Sequence, residues 1–550
     1  MPKWRWLVRF YLALTFRPFA GQFLVLQRGH QIPDIVRLPL HFRHVGLVAI
    51  GFLLLFSLLT LGRVPEIPHG DDGGYAAAAY QFCHTGRPGV SGWRSVVGLD
   101  ADVVVLGRSA AGLQGIIMWL FGVSLFNALL PSFLAGVGLL VVTYSLGRCL
   151  WGRGVAMLAV TILAASGIFF SASRWARPDI LLTFYFVSAL YFFASASPGK
   201  WSWRYLIAGL IMGLSGDLHL NGFLLAPIPL FFWIALRQET TRVRMVSAIT
   251  YIGAVLVGVM LWLMLHYWPD TDAFHRQIII HGIKTHGIRI LNFGLVGTTW
   301  REIQRYLSWF WDARFHRHLF EGLAVLTCGI WLTAFGGREE RAPIVAWFSI
   351  FVVAACFMAN PFGWYLIYVW PLFALWLARG FSLAYETTKR GWAVVALLLL
   401  FAGYLGDLAL WTGKAFRGPS YAAVSRELRS IIPRGASVIA GAEWWFALWD
   451  RDFTNTMHLY LRRLEAETNP ETGPAGWEYE WRRLKWQFVV AYGDLQAMLD
   501  SEVPITEAIR SIGASREKEI REARSFATKH CSVLRRIQTA ASPVLVLAIH

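Results

Sequence analysis

The hydrophobic and polar positions alternate on a scale of about 20 residues, the length needed to cross the hydrocarbon core of a bilayer. Apolar runs at 45–61, 127–147, 154–172 and 180–196 come first. Two shortened runs follow, separated by a polar break at 216–222, then one that extends to about 265. Further runs at 319–335, 343–359, 363–380 and 391–411 bring the reading to about eleven spans. A patch at 113–123 is too short to cross and reads as interfacial or re-entrant.

Between the runs, basic residues set the orientation. Residues 1–44 mix aromatic and aliphatic positions with Lys3, Arg5, Arg9, Arg17, Arg28, Arg37 and Arg43, a pattern suited to an anionic membrane surface on the cytoplasmic side. This places the loop at 62–108 outside, with a short helix over its YAAAAYQF stretch at 75–82. The basic turns at 147–153, 338–341 and 389–390 then lie inside, and the long loop at 266–317 lies outside. After 411 the periodicity changes to that of a soluble α/β fold, with a helix at 421–432 and strands at 437–440, 487–491, 533–537 and 544–549. An odd number of spans puts this C-terminal domain, 412–550, on the extracytoplasmic face. The fold class expected is a polytopic α-helical membrane protein of the inner (plasma) membrane, its membrane domain at 45–411.

Composition strengthens this reading. The chain of 550 residues is 56% hydrophobic and only 15% charged, with 27 Trp, which excludes an ordinary soluble globule. Its formal charge of +17 belongs to cytoplasmic turns and headgroup contacts, so no nucleic-acid partner is expected. Five cysteines have no metal-ligand spacing; Cys83 and Cys531 both fall on the expected external side, but nothing in the sequence pairs them.

Three external polar breaks carry the candidate chemistry. The stretch HGDDGGY at 69–75 holds adjacent carboxylates, Asp71 and Asp72, before two glycines; it suits either an ordinary turn or a carboxylate base at a membrane surface. In SRWARPD at 173–179, Arg174 and Arg177 suit a phosphate or a lipid headgroup, and Asp179 suits a site or a helix cap. The third break, at 216–222, contains His219 and Asn221.

The runs LPSFLAG at 130–136, YSLGR at 144–148, WGR at 151–153, SRWARPD at 173–179 and LLTF at 181–184 together resemble the core of the type C glycosyltransferases. Within that class they are most similar to the aminoarabinose lipid A transferase and protein O-mannosyltransferase group. The resemblance is good over residues 60–235, weaker to 411 and architectural beyond. It implies a polyprenyl-phosphate sugar as donor and an acceptor glycan, lipid or protein. On it, Asp71 and Asp72 match the acidic pair of the first external loop, with Tyr75 fitting beside them, and Asp179 matches the second essential acid, near the sugar-phosphate and in some members a metal. Arg108, in LGRS at 106–109, lies where the aminoarabinose transferases carry a lysine between prolines that are missing here. His219 and Asn221 replace a Lys-Gly pair. NPFGWY at 360–365, with Tyr365 at its end, resembles the late turn over the lipid-carrier site.

The expected function is inverting glycosyl transfer with Asp71 as general base, and with Arg108, Arg174 and Arg177 on the departing phosphate. Asp179 orients the site or helps hold a divalent cation, for which the sequence supplies no complete ligand set. Two alternatives fit the same pattern. One is a flippase of lipid-linked sugars; the other is an assembly scaffold binding glycans through Trp444, Trp445 and Trp449.

Overall fold

A computed structural model describes residues 40–63, 67–94, 96, 98–103, 107–197, 199–277, 289–310, 319–358, 363–387, 390–513 and 516–550. The basic segment at 1–39 and Asn360 to Phe362 of the late turn lie outside the described residues.

Helices dominate as far as Arg417. Four are long and apolar enough to cross a membrane by length and composition: Leu125–Ala165, Thr241–His266, Arg338–Phe357 and one beginning at Gly391. Shorter apolar helices, including Asp179–Ser195, Arg204–Ser215 and Leu319–Phe335, pack among them. The 41-residue Leu125–Ala165 element is two helices joined at Gly152, whose φ of 84° belongs to glycine. Its turn coincides with the basic loop expected at 147–153. Several boundaries differ from the sequence reading: the helix expected at 75–82 is Gly70–Thr85, the run at 343–359 is Arg338–Phe357, and the run at 391–411 continues to Arg417. The run expected at 154–172 stops at Ala165, where Ser166 accepts from the Phe169 amide to start a new short helix, Gly167–Ala172. The run expected at 363–380 opens as a 3-10 turn, Gly363–Tyr368, and becomes α-helical only over Trp370–Thr387.

Small residues set how closely the helices pack. A Cβ on Gly258 would lie 2.3 Å from the Gly213 carbonyl carbon, so Arg204–Ser215 and Thr241–His266 meet backbone to backbone. Phe193, Tyr205, Trp233 and Tyr251 fill the adjoining core with ring centroids 5.1–5.8 Å apart. At the far end of Asp179–Ser195, Arg237 Nη2 donates to the Ala194 carbonyl at 2.7 Å and closes the helix terminus.

The C-terminal residues build a five-stranded sheet, order β2-β1-β3-β5-β4. Strands β1 (Ser437–Ala440), β2 (Asp452–Asn455) and β3 (Phe488–Ala491) are parallel neighbours. Strands β4 (Cys531–Ile537) and β5 (Val544–Ile549) complete the sheet as antiparallel neighbours. β2 escaped the sequence reading because four residues, three of them polar, carry no recognisable alternation.

This sheet unit and the first loop share one buried cluster that includes Ala76, Val90, Trp445 and Val546. Helix Gly70–Thr85 lies against the Ala442–Trp444 turn so closely that a Cβ on Gly73 would stand 1.7 Å from the Ala442 carbonyl oxygen. Tyr80 packs on Trp445 and Trp449, and Arg94 pairs with Asp452. Trp444 and Trp445 are buried and Trp449 faces Tyr80, so these rings are packing residues, not an exposed sugar platform. Gly73→Ala is expected to cost about 3 kcal/mol or more by forcing the two surfaces apart. A melting temperature in detergent within a degree of wild type would contradict that contact.

Candidate functional site

The site begins at the acid helix, Gly70–Thr85. His69 caps it: its Nδ1 accepts from the Asp71 amide at 3.2 Å, and Asp72 Oδ2 accepts from the His69 amide at 2.9 Å. An imidazole nitrogen accepting a hydrogen bond is neutral, and burial lowers the His69 pKa in the same sense.

The two aspartates separate sharply. Asp72 is 1% exposed, and its Oδ1 accepts from the Ala176 amide at 2.7 Å, tying the helix to the 173–179 break. Burial pushes its carboxyl up to about 7 against the two backbone bonds that favour the charged form. Asp72, expected to be catalytic with Asp71, is therefore a positioning residue, because both its oxygens serve the backbone. The Asp71 side chain is 45% exposed, with Oδ2 held by Arg177 Nη1. Of the pair, it alone faces solvent.

Arg177 is the hub. Its Nε donates to Asp179 Oδ2 at 2.7 Å, Nη1 bonds Asp71 and Nη2 reaches the Tyr365 hydroxyl at 3.5 Å. The rings of Tyr75 and Tyr365 flank its guanidinium at 5.9 and 5.8 Å. Burial would lower its pKa, but Asp179 and Asp71 hold it well above the ordinary arginine range.

Asp179 begins helix Asp179–Ser195, yet its side chain does not cap it. Oδ1 instead accepts from the Tyr368 hydroxyl at 2.8 Å, and the Tyr368 oxygen in turn accepts from Asn221 Nδ2 at 3.3 Å. His219 Nδ1 accepts from the Asn221 amide at 3.1 Å, and the His219 ring meets Tyr365 edge-on at 6.1 Å. Asp71, Tyr75, Arg177, Asp179, His219, Asn221 and Tyr365 thus form one connected constellation.

Two arginines expected beside them lie elsewhere. Arg174, buried, turns to the end of helix Leu40–Leu59. There it donates to the Ser57 carbonyl at 2.7 Å and to Thr60 Oγ1 at 2.6 Å, so its charge serves a helix C-terminus. Arg108 opens helix Arg108–Phe121, and its Nη2 pairs with Asp102 at 3.2 Å.

A narrow cleft, part of it open to solvent, runs beside the hub. Tyr75, Gln114, Ser132 and Arg177 are its polar lining; Ala78, Ala111, Leu113, Pro131 and Leu181 make the walls largely apolar. A long apolar chain bearing an anionic head matches that polarity.

Among the described residues no three His, Cys, Asp or Glu side chains are grouped to hold a metal ion. Asp71 and Asp179 are both engaged by Arg177, whose positive charge stands where a cation between them would stand. The residues present do not fit a resident divalent ion.

Sequence reasoning missed Asp217, Tyr368 and Glu443. Asp217 was visible as a carboxylate inside a polar break between two short apolar runs. Glu443 Oε2 lies 3.7 Å from where a Cβ on Gly70 would stand, and burial pushes its carboxyl up to about 7. No local signal marked it, since it reaches the acid helix from the C-terminal unit.

Residues 110–268 match the family model described as dolichyl-phosphate-mannose-protein mannosyltransferase. YkcB and YycA of Bacillus subtilis (strain 168), whose names carry the word mannosyltransferase, are each 27% identical to the chain over 190 and 192 residues. Each match takes in 34% of this chain and only 26% and 27% of the two relatives, so the chain spans about a quarter of their length. The crystal structure of ArnT from Cupriavidus metallidurans bound to undecaprenyl phosphate superposes with a TM-score of 0.61 at 13% identity, covering 91% of this chain and 97% of that one. AglB from Archaeoglobus fulgidus, in complex with an inhibitory peptide and a dolichol-phosphate, gives 0.52 at 13% identity over 90% and 73%. In its fold, this chain, with four helices among the described residues long and apolar enough to cross a membrane, is similar to those two solved structures, and over residues 110–268 to the mannosyltransferase family model.

Proposed function

We propose that the protein transfers a sugar from a polyprenyl-phosphate donor to a hydroxyl of an acceptor glycan, lipid or protein at the external membrane face, with inversion. The observation that carries this reading is the half-exposed Asp71 carboxylate, held by Arg177, which lines a largely apolar cleft. The acceptor oxygen attacks the anomeric carbon, the bond from that carbon to the phosphate oxygen breaks, and Asp71 takes the hydroxyl proton. Charge grows on the departing phosphate, and Arg177, which lines the cleft, is the cation placed to meet it. Arg108, paired with Asp102, and Arg174, whose donors serve Ser57 and Thr60, drop out of that role.

As that phosphate engages Arg177, the Asp71 carboxylate is released in part from its ion pair and is open to the acceptor hydroxyl. The relatives' mannosyltransferase names and the lipid phosphates bound by the two structural neighbours support the donor class. The topology that fits is about eleven spans in the plasma membrane, the N-terminus cytoplasmic and the sheet unit outside.

The test is donor turnover by purified protein in detergent, with polyprenyl-phosphate [14C]mannose and a membrane extract as acceptor source. Label should leave the lipid without any gradient or second compartment. Donor binding with no consumption, whichever labelled sugar is offered, would replace the transferase reading with a flippase.

A further inference from the structure

The wall of the cleft is fixed from outside its own segment. Helix Arg108–Phe121 contributes Ala110, Ala111, Leu113 and Gln114 to that wall, and Gly107, its N-cap, adds the first residue. Glycine has no side chain with which to satisfy the free amides of the first turn. Asp217 supplies the missing acceptor from the distant 216–222 break. Its Oδ2 accepts from the Ser109 amide at 2.9 Å and from the Ser109 hydroxyl, and its Oδ1 accepts from the Arg108 amide at 3.3 Å. The backbones also touch: a Cβ on Gly107 would lie 1.4 Å from the Asp217 carbonyl oxygen, so only glycine allows the approach.

Asp217 is held in turn by His266, the last residue of helix Thr241–His266. His266 Nε2 donates to Asp217 Oδ1 at 2.6 Å. The His266 side chain is fully buried and its ring stacks on Trp262 at 5.4 Å. Its Nδ1 has no hydrogen-bond partner, so Asp217 is the ring's one polar anchor among the described residues.

We infer that Asp217 and His266 are positioning residues for the donor, latching the Arg108–Phe121 wall in the register that the lipid phosphate requires. The inference rests on the transferase reading above. It carries a directional consequence. A helix N-terminus with free amides attracts phosphate. Here the Asp217 carboxylate already occupies those amides, and its charge repels a second anion. Of the residues that line the cleft, Arg177 is then the cation left to meet the donor phosphate.

The experiment compares full-length wild type, Asp217→Asn, His266→Gln, His266→Ala and Asp71→Asn in the detergent assay with polyprenyl-phosphate [14C]mannose and membrane extract. Asp217→Asn cannot accept from Arg108, Ser109 and His266 together; its KM for donor should rise about tenfold, with the KM for extract acceptor unmoved. His266→Ala should shift donor KM likewise, and His266→Gln, which keeps an N–H donor, should recover most of the loss. If Asp217→Asn fails to fold, the His266 pair decides the matter. An unchanged donor KM in Asp217→Asn or His266→Ala overturns the inference, as does a parallel fall of kcat, both KM values and melting temperature. A wild type that consumes no donor removes the transferase reading and this inference with it. A wild type that turns over while Asp217→Asn matches it, with Asp71→Asn inactive, removes the inference alone.

Discussion

Asp71→Asn is expected to lower transfer by about a hundred- to ten-thousand-fold, the usual contribution of a positioned general base. The amide keeps the shape of the carboxylate and a hydrogen-bond acceptor for Arg177 but cannot take a proton from an attacking hydroxyl. Folding should survive, because the Asp71 side chain is close to half exposed and buried Arg177 keeps its pair with Asp179. The measurement is release of label from polyprenyl-phosphate [14C]mannose, read beside the melting temperature of the same preparation. Transfer at the wild-type rate would move the base elsewhere, and Glu443, next to Gly70, would be the first place to look.

The second large effect is at Arg177, where two substitutions separate charge from geometry. Arg177→Ala leaves Asp179 buried without its cation, a loss of about 3–5 kcal/mol that falls on folding itself. Arg177→Lys keeps the charge but, as a point donor, cannot span Asp179, Asp71 and Tyr365 at once. The lysine variant is expected to fold and to transfer about a hundredfold more slowly, since a charge without the fork no longer meets the growing negative charge in place. Wild-type kinetics in Arg177→Lys would show that charge alone suffices and that the bridging geometry is incidental.

Much of this was legible before any coordinates. The long runs and the basic turns between them carried the helical plan, because crossing hydrocarbon leaves a chain few alternatives. Asp71, Arg177 and Asp179 stood out as charges at the ends of apolar runs, and they meet in one cluster. What stayed hidden depended on direction. Asp71 and Asp72 are neighbours in sequence, yet a helical step of about 100° sends one to solvent and the other into the Ala176 backbone. Arg174 and Arg177 stand three apart in an irregular turn, where no period tells which of them reaches a carboxylate. Asp217 lies more than a hundred residues from the amides it caps, so no local pattern connects them.

The contact between Gly73 and Ala442 has a consequence for biogenesis. The acid helix leaves the ribosome early, whereas the surface that seats it comes from the last part of the chain. Until that surface is made and delivered to the same side of the membrane, the helix has no lid, and its row of small residues faces water. The nascent protein is therefore a client waiting for its own C-terminus, exposed to proteases and holdases while the membrane helices are already in place.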